Sequence, residues 1–69
     1  METEYYIARD YYGSLYLLDN VPIRHKYGFT PHYIPGINNG IMLPIDKEKF
    51  PEVTWENSPK RIKIELVDM

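Results

Sequence analysis

The chain has 69 residues and no cysteine, its ten aromatic side chains include seven tyrosines, and its formal net charge is −2. A chain of this length buries only about 60% of its unfolded surface, so it can form one small domain without room for a large enclosed cofactor. Disulfides and thiolate-rich zinc sites are impossible, and a net negative charge does not favour a protein that neutralises phosphates.

The sequence shows no sign of a membrane span or of a signal peptide. The longest stretch without an acidic residue, a basic residue or a histidine, residues 33–45, is interrupted by proline, glycine and asparagine, whereas a span needs roughly 20 apolar residues. The first residues include Glu2 and Glu4 and lack the basic and apolar regions of a signal peptide. We therefore expect one soluble, cytoplasmic domain over residues 1–69, with no membrane contact.

The first half of the chain predicts three antiparallel strands in chain order. Residues 4–10 are rich in β-forming side chains, and the Asp-Tyr-Tyr-Gly sequence at 10–13 suits a type I turn closed by a glycine. Residues 14–18 then return as a second strand. After a short turn, residues 21–27 predict a third strand, which Pro22 confines to a sheet edge or a bulge.

The second half of the chain predicts a long loop, short elements and one clear strand. Residues 28–40 contain three glycines, two prolines and two asparagines, which is typical of a loop. Residues 41–43 predict a short strand that the following proline ends, 46–50 suit one helical turn with an aspartate as N-cap, and 53–55 suit another short strand. In 60–67, isoleucine and leucine alternate with charged residues, a period of two that only a strand satisfies.

These elements predict an all-β fold of five or six short antiparallel strands with one helical turn. Closure into a small barrel or roll of SH3-like or OB-like size would remove the exposed sheet edges. The alternative is an α+β roll in which residues 44–51 form a true helix. The last strand is expected to pair with the N-terminal strand and close the barrel, although an edge position would let it accept a partner strand. The predicted core comprises Ile7, Leu15, Leu17, Phe50, Trp55, Ile62, Ile64 and Leu66.

Aromatic and basic side chains cluster in two places, which together form a candidate partner-binding surface. Two tyrosines occupy the tip of the first hairpin, and residues 24–33 combine cations, both histidines and three aromatic side chains without a carboxylate. Packing of tyrosines on a thin sheet is the alternative interpretation, because their hydroxyls can remain in water. The predicted surface consists of Tyr11, Tyr12, Arg24, Lys26, Tyr27, Phe29 and Tyr33.

Other chemistries have weaker support in the sequence. Cations beside aromatic rings suit single-stranded nucleic acid, but two basic residues in an acidic chain attract phosphates weakly. His25 and His32 lack a metal-ligand spacing, and Ser14 and Ser58 lack a nucleophile motif. The sequence therefore predicts a non-enzymatic binding module without metal or cofactor, whose partner is a protein. A homo-oligomer and a single-stranded nucleic-acid-binding β-barrel are the alternatives.

Three sequence blocks resemble a group of short uncharacterised proteins of gut anaerobic bacteria and their prophages and mobile elements. The blocks are YYIARD at 5–10 with GSLYL at 13–17, then Asn20 with Pro22, then FPEVTWE at 50–56. The resemblance implies an accessory protein of a bacterial, prophage or phage genome. It implies no activity and no functional residue.

Overall fold

The fold is all-β, as the sequence predicts. The computed structural model describes residues 2–65 and 67–68, and this part of the chain contains strands and turns but no helix. The six strands are β1 (Glu2–Arg9), β2 (Leu15–Leu18), β3 (Ile23–Arg24), β4 (Phe29–Thr30), β5 (Met42–Ile45) and β6 (Lys60–Glu65). They form a four-stranded antiparallel sheet in the order β5-β2-β1-β6 and a separate two-stranded sheet of β3 and β4.

The four-stranded sheet is open, so the predicted barrel is wrong. β6 pairs with β1 as expected, from Ile7 opposite Lys60 to Glu2 opposite Glu65. However, β5 and β6 lie at opposite ends of the strand order, and no pairing joins them among the described residues. Val53 packs on one face of the sheet and Phe29 on the other, while β5 and β6 remain its two edges.

The predicted three-strand meander is also wrong. The segment expected as one strand over 21–27 contributes only the short β3, which pairs with β4 rather than with β2. The backbone N–H of His25 donates to the Gly28 oxygen at 2.8 Å, which turns the chain back on itself. β4 therefore lies inside the predicted loop 28–40, and β5 occupies the place beside β2.

Three local predictions for the second half of the chain are wrong. Pro44 does not end the fourth strand but lies within β5, opposite Tyr16, where an edge position tolerates its missing N–H. Residues 46–50 form a hydrogen-bonded turn instead of a helical turn, and the α+β alternative fails with it. Phe50 has a φ of 51°, outside the helical region, and residues 53–55 are not a strand.

Both faces of the sheet carry apolar residues. Successive residues of a strand point to opposite sides, so the neighbours Ile7 and Ala8 belong to different faces. On the first face, the buried residues are Ile7, Leu15 and Val53, with Leu17, Ile45 and Ile62 packed against them. On the second face, the buried residues are Ala8, Leu18 and Phe29, with Tyr6, Tyr16, Met42 and Trp55 packed against them. The segment 46–53 packs on the first face through Val53, and the β3–β4 hairpin packs on the second face through Phe29.

Part of the predicted core is confirmed and part is wrong. Ile7 and Leu15 are buried, and Leu17, Trp55 and Ile62 are partly buried against the two clusters. Phe50 and Ile64 are 41% and 44% exposed, because one lies in a turn and the other lies two residues beyond Ile62 on an edge strand. Leu66 lies outside the described residues.

Candidate functional site

The turn at residues 10–13 projects two tyrosines from the end of β1. The Oδ1 atom of Asp10 accepts hydrogen bonds from the backbone N–H groups of Tyr12 and Ser14, both at 2.9 Å. The N–H of Gly13 donates to the Asp10 backbone oxygen at 3.1 Å, and Gly13 has a φ of 96°. An aspartate that accepts from the following backbone and a glycine with positive φ are what this turn requires, so the turn forms as predicted.

A backbone hydrogen bond joins this turn to the tip of the β3–β4 hairpin. The N–H of Tyr11 donates to the backbone oxygen of Tyr27 at 3.0 Å. The two turns are separated by 16 positions in the chain, counted from Tyr11 to Tyr27, yet their tips lie side by side. The sequence predicts that residues of both turns belong to one surface. In the structure, Tyr11 and Tyr27 lie next to each other.

Three tyrosines form a continuous exposed cluster at this junction. The ring centroid of Tyr11 lies 5.5 Å from that of Tyr12 and 5.3 Å from that of Tyr27. The ring centroids of Tyr12 and Tyr27 are 5.9 Å apart. The Tyr11 contacts are edge-to-face, the arrangement that aromatic rings prefer. The three residues are 58%, 75% and 45% exposed, respectively. We call them the tyrosine patch.

The tyrosine patch rests on aromatic residues of the second face. The Trp55 ring lies 6.3 Å from the Tyr11 ring and 5.5 Å from the Phe29 ring. The Arg24 guanidinium carbon lies 3.6 Å from the Trp55 ring centroid, and its Nη1 donates to the backbone oxygens of Trp55 and Ser58 at 3.0 and 3.3 Å. Arg24 therefore fastens the hairpin to the residues beside it, and its guanidinium is already engaged within the molecule.

The other predicted surface residues differ in their exposure and in their distance from the tyrosine patch. Lys26 belongs to the surroundings of the patch, since its Nζ lies 5.3 Å from the Tyr27 ring centroid. Phe29 is only 6% exposed and belongs to the core, so it cannot contact a partner directly. Tyr33 is 62% exposed but lies against Gly40 and residues 36–39, away from the patch. Of the seven predicted residues, Tyr11, Tyr12 and Tyr27 therefore form the tyrosine patch.

An open groove of about 330 Å³ lies beside the tyrosine patch. Tyr11 and Trp55 form part of its wall, and Asp10 and Glu56 contribute carboxylates. The Arg9 guanidinium also reaches the groove, but its donors are occupied by the protein itself.

Arg9 is a residue whose importance sequence reasoning missed. Its guanidinium donates all five of its N–H groups to backbone oxygens, at distances from 2.6 to 3.2 Å. The acceptors are the carbonyls of Gly13, Lys47, Lys49, Phe50 and Val53. We call Arg9 and these carbonyls the Arg9 network. The one signal in the sequence was a cation on the face of β1 that also carries Ile7.

The polar groups weighed for catalysis are used in structural hydrogen bonds. The Ser58 hydroxyl accepts from the Arg9 backbone N–H at 2.8 Å and donates to the Thr54 oxygen, which is the role of a turn hydroxyl. His25 Nε2 lies 2.7 Å from the Thr30 hydroxyl oxygen. The second contact places a hydroxyl within reach of an imidazole, but among the described residues no third group is recorded that hydrogen-bonds to the His25 ring and orients it.

Within residues 2–65 and 67–68, no three histidine, aspartate or glutamate side chains are grouped to hold a metal ion. That same part of the chain has no helix of the length and apolar character needed to cross a membrane. Comparisons with models of protein families, with curated protein sequences and with solved structures yield no match.

Proposed function

We propose that this chain is a non-enzymatic, cytoplasmic protein-binding module whose contact surface is the tyrosine patch. The observation that carries the proposal is the exposure of three tyrosines from two turns that are joined by a backbone hydrogen bond. Tyrosine offers a large amphipathic contact area with little side-chain entropy to lose, and it is enriched at the energetic centres of protein interfaces. Tyr11 and Tyr12 remain 58% and 75% exposed, although the Tyr11 ring also contacts Trp55.

The patch is organised before any partner arrives. Tyr11 is held by its backbone hydrogen bond to Tyr27 and by ring contacts with Tyr12, Tyr27 and Trp55. These contacts restrict the side-chain rotamers that binding would otherwise have to immobilise. Ordering a free, rotamer-rich side chain costs about 0.5–1.5 kcal/mol, so a pre-formed patch favours affinity.

The chemistry of the patch indicates the kind of protein surface that it fits. The three phenol rings offer apolar faces and hydroxyl donors, and the Lys26 ammonium lies against one of them. The one carboxylate at this turn, Asp10, accepts from two backbone N–H groups. A complementary surface would present aliphatic side chains together with carbonyl or carboxylate acceptors.

Single-stranded nucleic acid is the competing partner, and the ring geometry favours it less. Bases stack on ring faces that are open. Here Tyr11 contacts its neighbours edge-to-face, the Lys26 ammonium lies over the Tyr27 ring, and Arg24 covers one face of Trp55. The net charge of −2 also provides little attraction for phosphates.

Selection of peptides from a random library displayed on phage tests the proposal. We expect peptides that bind the wild-type chain, and we expect Tyr12→Ala to weaken their binding at least about tenfold, because Tyr12 has the most exposed ring of the patch. Tyr33→Ala is the matched control, since this tyrosine is 62% exposed but lies outside the patch. Peptides that bind Tyr12→Ala and wild type equally would contradict the proposal.

An oligonucleotide titration separates the two partner classes. Fluorescence anisotropy with a labelled oligothymidine at low salt should show no binding to the wild-type chain. Binding that falls steeply with salt and that Tyr12→Ala abolishes would replace the proposal with a nucleic-acid-binding function.

A protein-binding module is also compatible with the accessory role in a bacterial mobile element that the sequence resemblance implies.

A further inference from the structure

Tyr11 and Tyr27 bring two phenol rings into contact from turns that are separate in the chain. Tyr11 belongs to the turn after β1, and Tyr27 lies at the tip of the β3–β4 hairpin. Their ring centroids are 5.3 Å apart and the ring planes meet at 64°, which is an edge-to-face contact. The backbone hydrogen bond of 3.0 Å from the Tyr11 N–H to the Tyr27 oxygen joins the same two residues. The two rings therefore stay in contact while both turns are folded.

Both rings of this pair are also accessible to solvent. Tyr11 is 58% exposed and Tyr27 is 45% exposed, so a small oxidant can reach either phenol. Tyr33 is 62% exposed, but within the described part of the chain its ring contacts no other aromatic ring. Three further tyrosines are only partly exposed and contact no second tyrosine ring among the described residues, namely Tyr5, Tyr6 and Tyr16.

Tyr12, the third member of the tyrosine patch, is held less firmly against the hairpin. Its ring centroid lies 5.9 Å from that of Tyr27, compared with 5.3 Å for Tyr11. Its backbone N–H donates to the Asp10 carboxylate and not to the hairpin. Tyr12 also follows Tyr11 directly in the chain, so a covalent bond between these two would join no distant segments. A ring contact and a backbone hydrogen bond coincide in the pair of Tyr11 and Tyr27.

Two phenols in contact can be joined by oxidation without help from any other group of the protein. A one-electron oxidant removes one electron and one proton from each phenol, which leaves a phenoxyl radical with spin density on the ring carbons ortho to the oxygen. The two radicals form one carbon–carbon bond between ortho carbons, and the hydrogen on each bonded carbon moves to the phenolic oxygen. The product, dityrosine, has two hydrogen atoms fewer than the two tyrosines. A peroxide accepts the two electrons: hydrogen peroxide takes up the two protons as well and gives two water molecules, whereas persulfate gives two sulfate ions.

We propose that Tyr11 and Tyr27 are a site of oxidative cross-linking, where a peroxide acting through a one-electron catalyst such as a haem peroxidase joins the two turns by a dityrosine bond. The bond would link positions 11 and 27 and close the loop between them. Such a cross-link restricts the unfolded chain and therefore favours the folded one. The site depends on the contact between the two rings, so it stands whether or not the tyrosine patch binds a protein.

Peptide mapping tests the site. The dilute wild-type chain is illuminated with a ruthenium tris-bipyridyl complex and persulfate, and chains that remain single are isolated by size under denaturing conditions. Trypsin cleavage after arginine and lysine places Tyr11 in the peptide 10–24 and Tyr27 in the peptide 27–47. We expect mass spectrometry to find these two peptides joined with the loss of two hydrogen atoms, and fragmentation to locate the bond at Tyr11 and Tyr27. Single chains without this bond, or with their main bond between other tyrosines, would overturn the proposal.

Two phenylalanine variants test the residue assignment. Tyr27→Phe keeps the ring but removes its phenol, so the linked peptides should be lost. Tyr33→Phe is the matched control, because this residue lies in the same tryptic peptide but outside the patch, and it should give the wild-type yield. Linked peptides that persist in Tyr27→Phe would overturn the proposal.

Unfolding tests whether the contact between the rings directs the reaction. The same illumination of the wild-type chain in concentrated urea should lower the yield of the bond between Tyr11 and Tyr27 at least about fivefold, because the rings are no longer held together. The ruthenium complex and persulfate are small molecules that urea does not unfold, so the oxidant is the same in both samples. Equal yields from the folded and the unfolded chain would overturn the proposal.

Discussion

The two faces of the four-stranded sheet are covered by segments that are held in different ways. On the first face, the Arg9 network fastens the segment 46–53 through hydrogen bonds to backbone oxygens alone. On the second face, Arg24 stacks on Trp55, and its Nη1 donates to two backbone oxygens. The same type of side chain thus acts mainly through hydrogen bonds on one face and mainly through ring contact on the other.

This difference places the candidate function on the second face. A guanidinium whose five donors are all satisfied by the backbone has nothing to offer a partner. The aromatic cover of the second face instead continues outward from Phe29 through Trp55 to the exposed tyrosine patch. Aromatic packing can serve the core and a surface at once, whereas the Arg9 network serves the fold alone.

The largest loss of unfolding free energy is expected for Arg9→Lys, which tests the difference between the two faces most directly. A lysine keeps the charge but has three donors on one atom, so at least two of the five carbonyls lose their partner. We expect a loss of about 3–4 kcal/mol in unfolding free energy, measured by urea denaturation. Arg61→Lys is the matched control, because the Arg61 side chain is 63% exposed and should tolerate the change within about 0.5 kcal/mol. Equal urea midpoints for the two variants would show that the network contributes nothing.

The corresponding change on the second face is Trp55→Ala. It removes ring contacts with Tyr11 and Phe29 and the surface on which Arg24 stacks. Because Trp55 is only partly buried, we expect a loss of about 2–3 kcal/mol, below the range for a fully buried tryptophan. Far-UV circular dichroism during urea denaturation measures it. A variant that unfolds with the wild-type midpoint would mean that the aromatic cover does not stabilise the fold.

Ser58→Ala tests the point where the two covering segments meet the end of β1. The change leaves the Arg9 backbone N–H and the Thr54 oxygen without their partner. An expected loss of about 1–2 kcal/mol follows from the desolvation of these groups. Faster hydrogen exchange at the Arg9 amide would be the local signature, and Ser14→Ala, an exposed serine, should leave that amide unchanged. Unchanged exchange in Ser58→Ala would exclude this contribution.

The smallest effect is expected for Arg24→Lys. Arg24 is exposed, and a cation over a ring at an exposed site contributes about 0.5–1 kcal/mol. A lysine retains part of that attraction, so the loss should be about 1 kcal/mol or less by urea denaturation. A loss as large as that of Arg9→Lys would remove the distinction between the two faces.

Local patterns in the sequence predict the strands and turns that depend on neighbouring residues. β-Forming side chains indicate β1, the turn that follows it indicates β2, and strict alternation locates β6, while the composition at 10–13 predicts the turn that exposes Tyr11 and Tyr12. These features follow from the period of a strand and from the turn preferences of aspartate and glycine. The position of the tyrosine patch could therefore be predicted in part.

Features that depend on the choice of distant partners could not be predicted. Contacts between distant residues decide whether the segment after β2 pairs with β2 or forms the β3–β4 hairpin. Such contacts also decide that β5 lies at the sheet edge, where Pro44 is tolerated. Alternation also cannot tell that Phe29 is covered while Tyr33 is not. The Arg9 network gives no sequence signal at its acceptor end, because every residue carries a carbonyl.

That last property has a consequence for how the chain can diverge. Arg9 contacts Lys47 and Lys49 through their main-chain oxygens alone, so almost any side chain at these two positions preserves the hydrogen bonds. Removal of one residue between them, however, would displace every carbonyl that follows. In a saturation library, the segment 46–53 should therefore accept many substitutions and reject single-residue deletions. Its length should be more strongly constrained than its amino-acid composition.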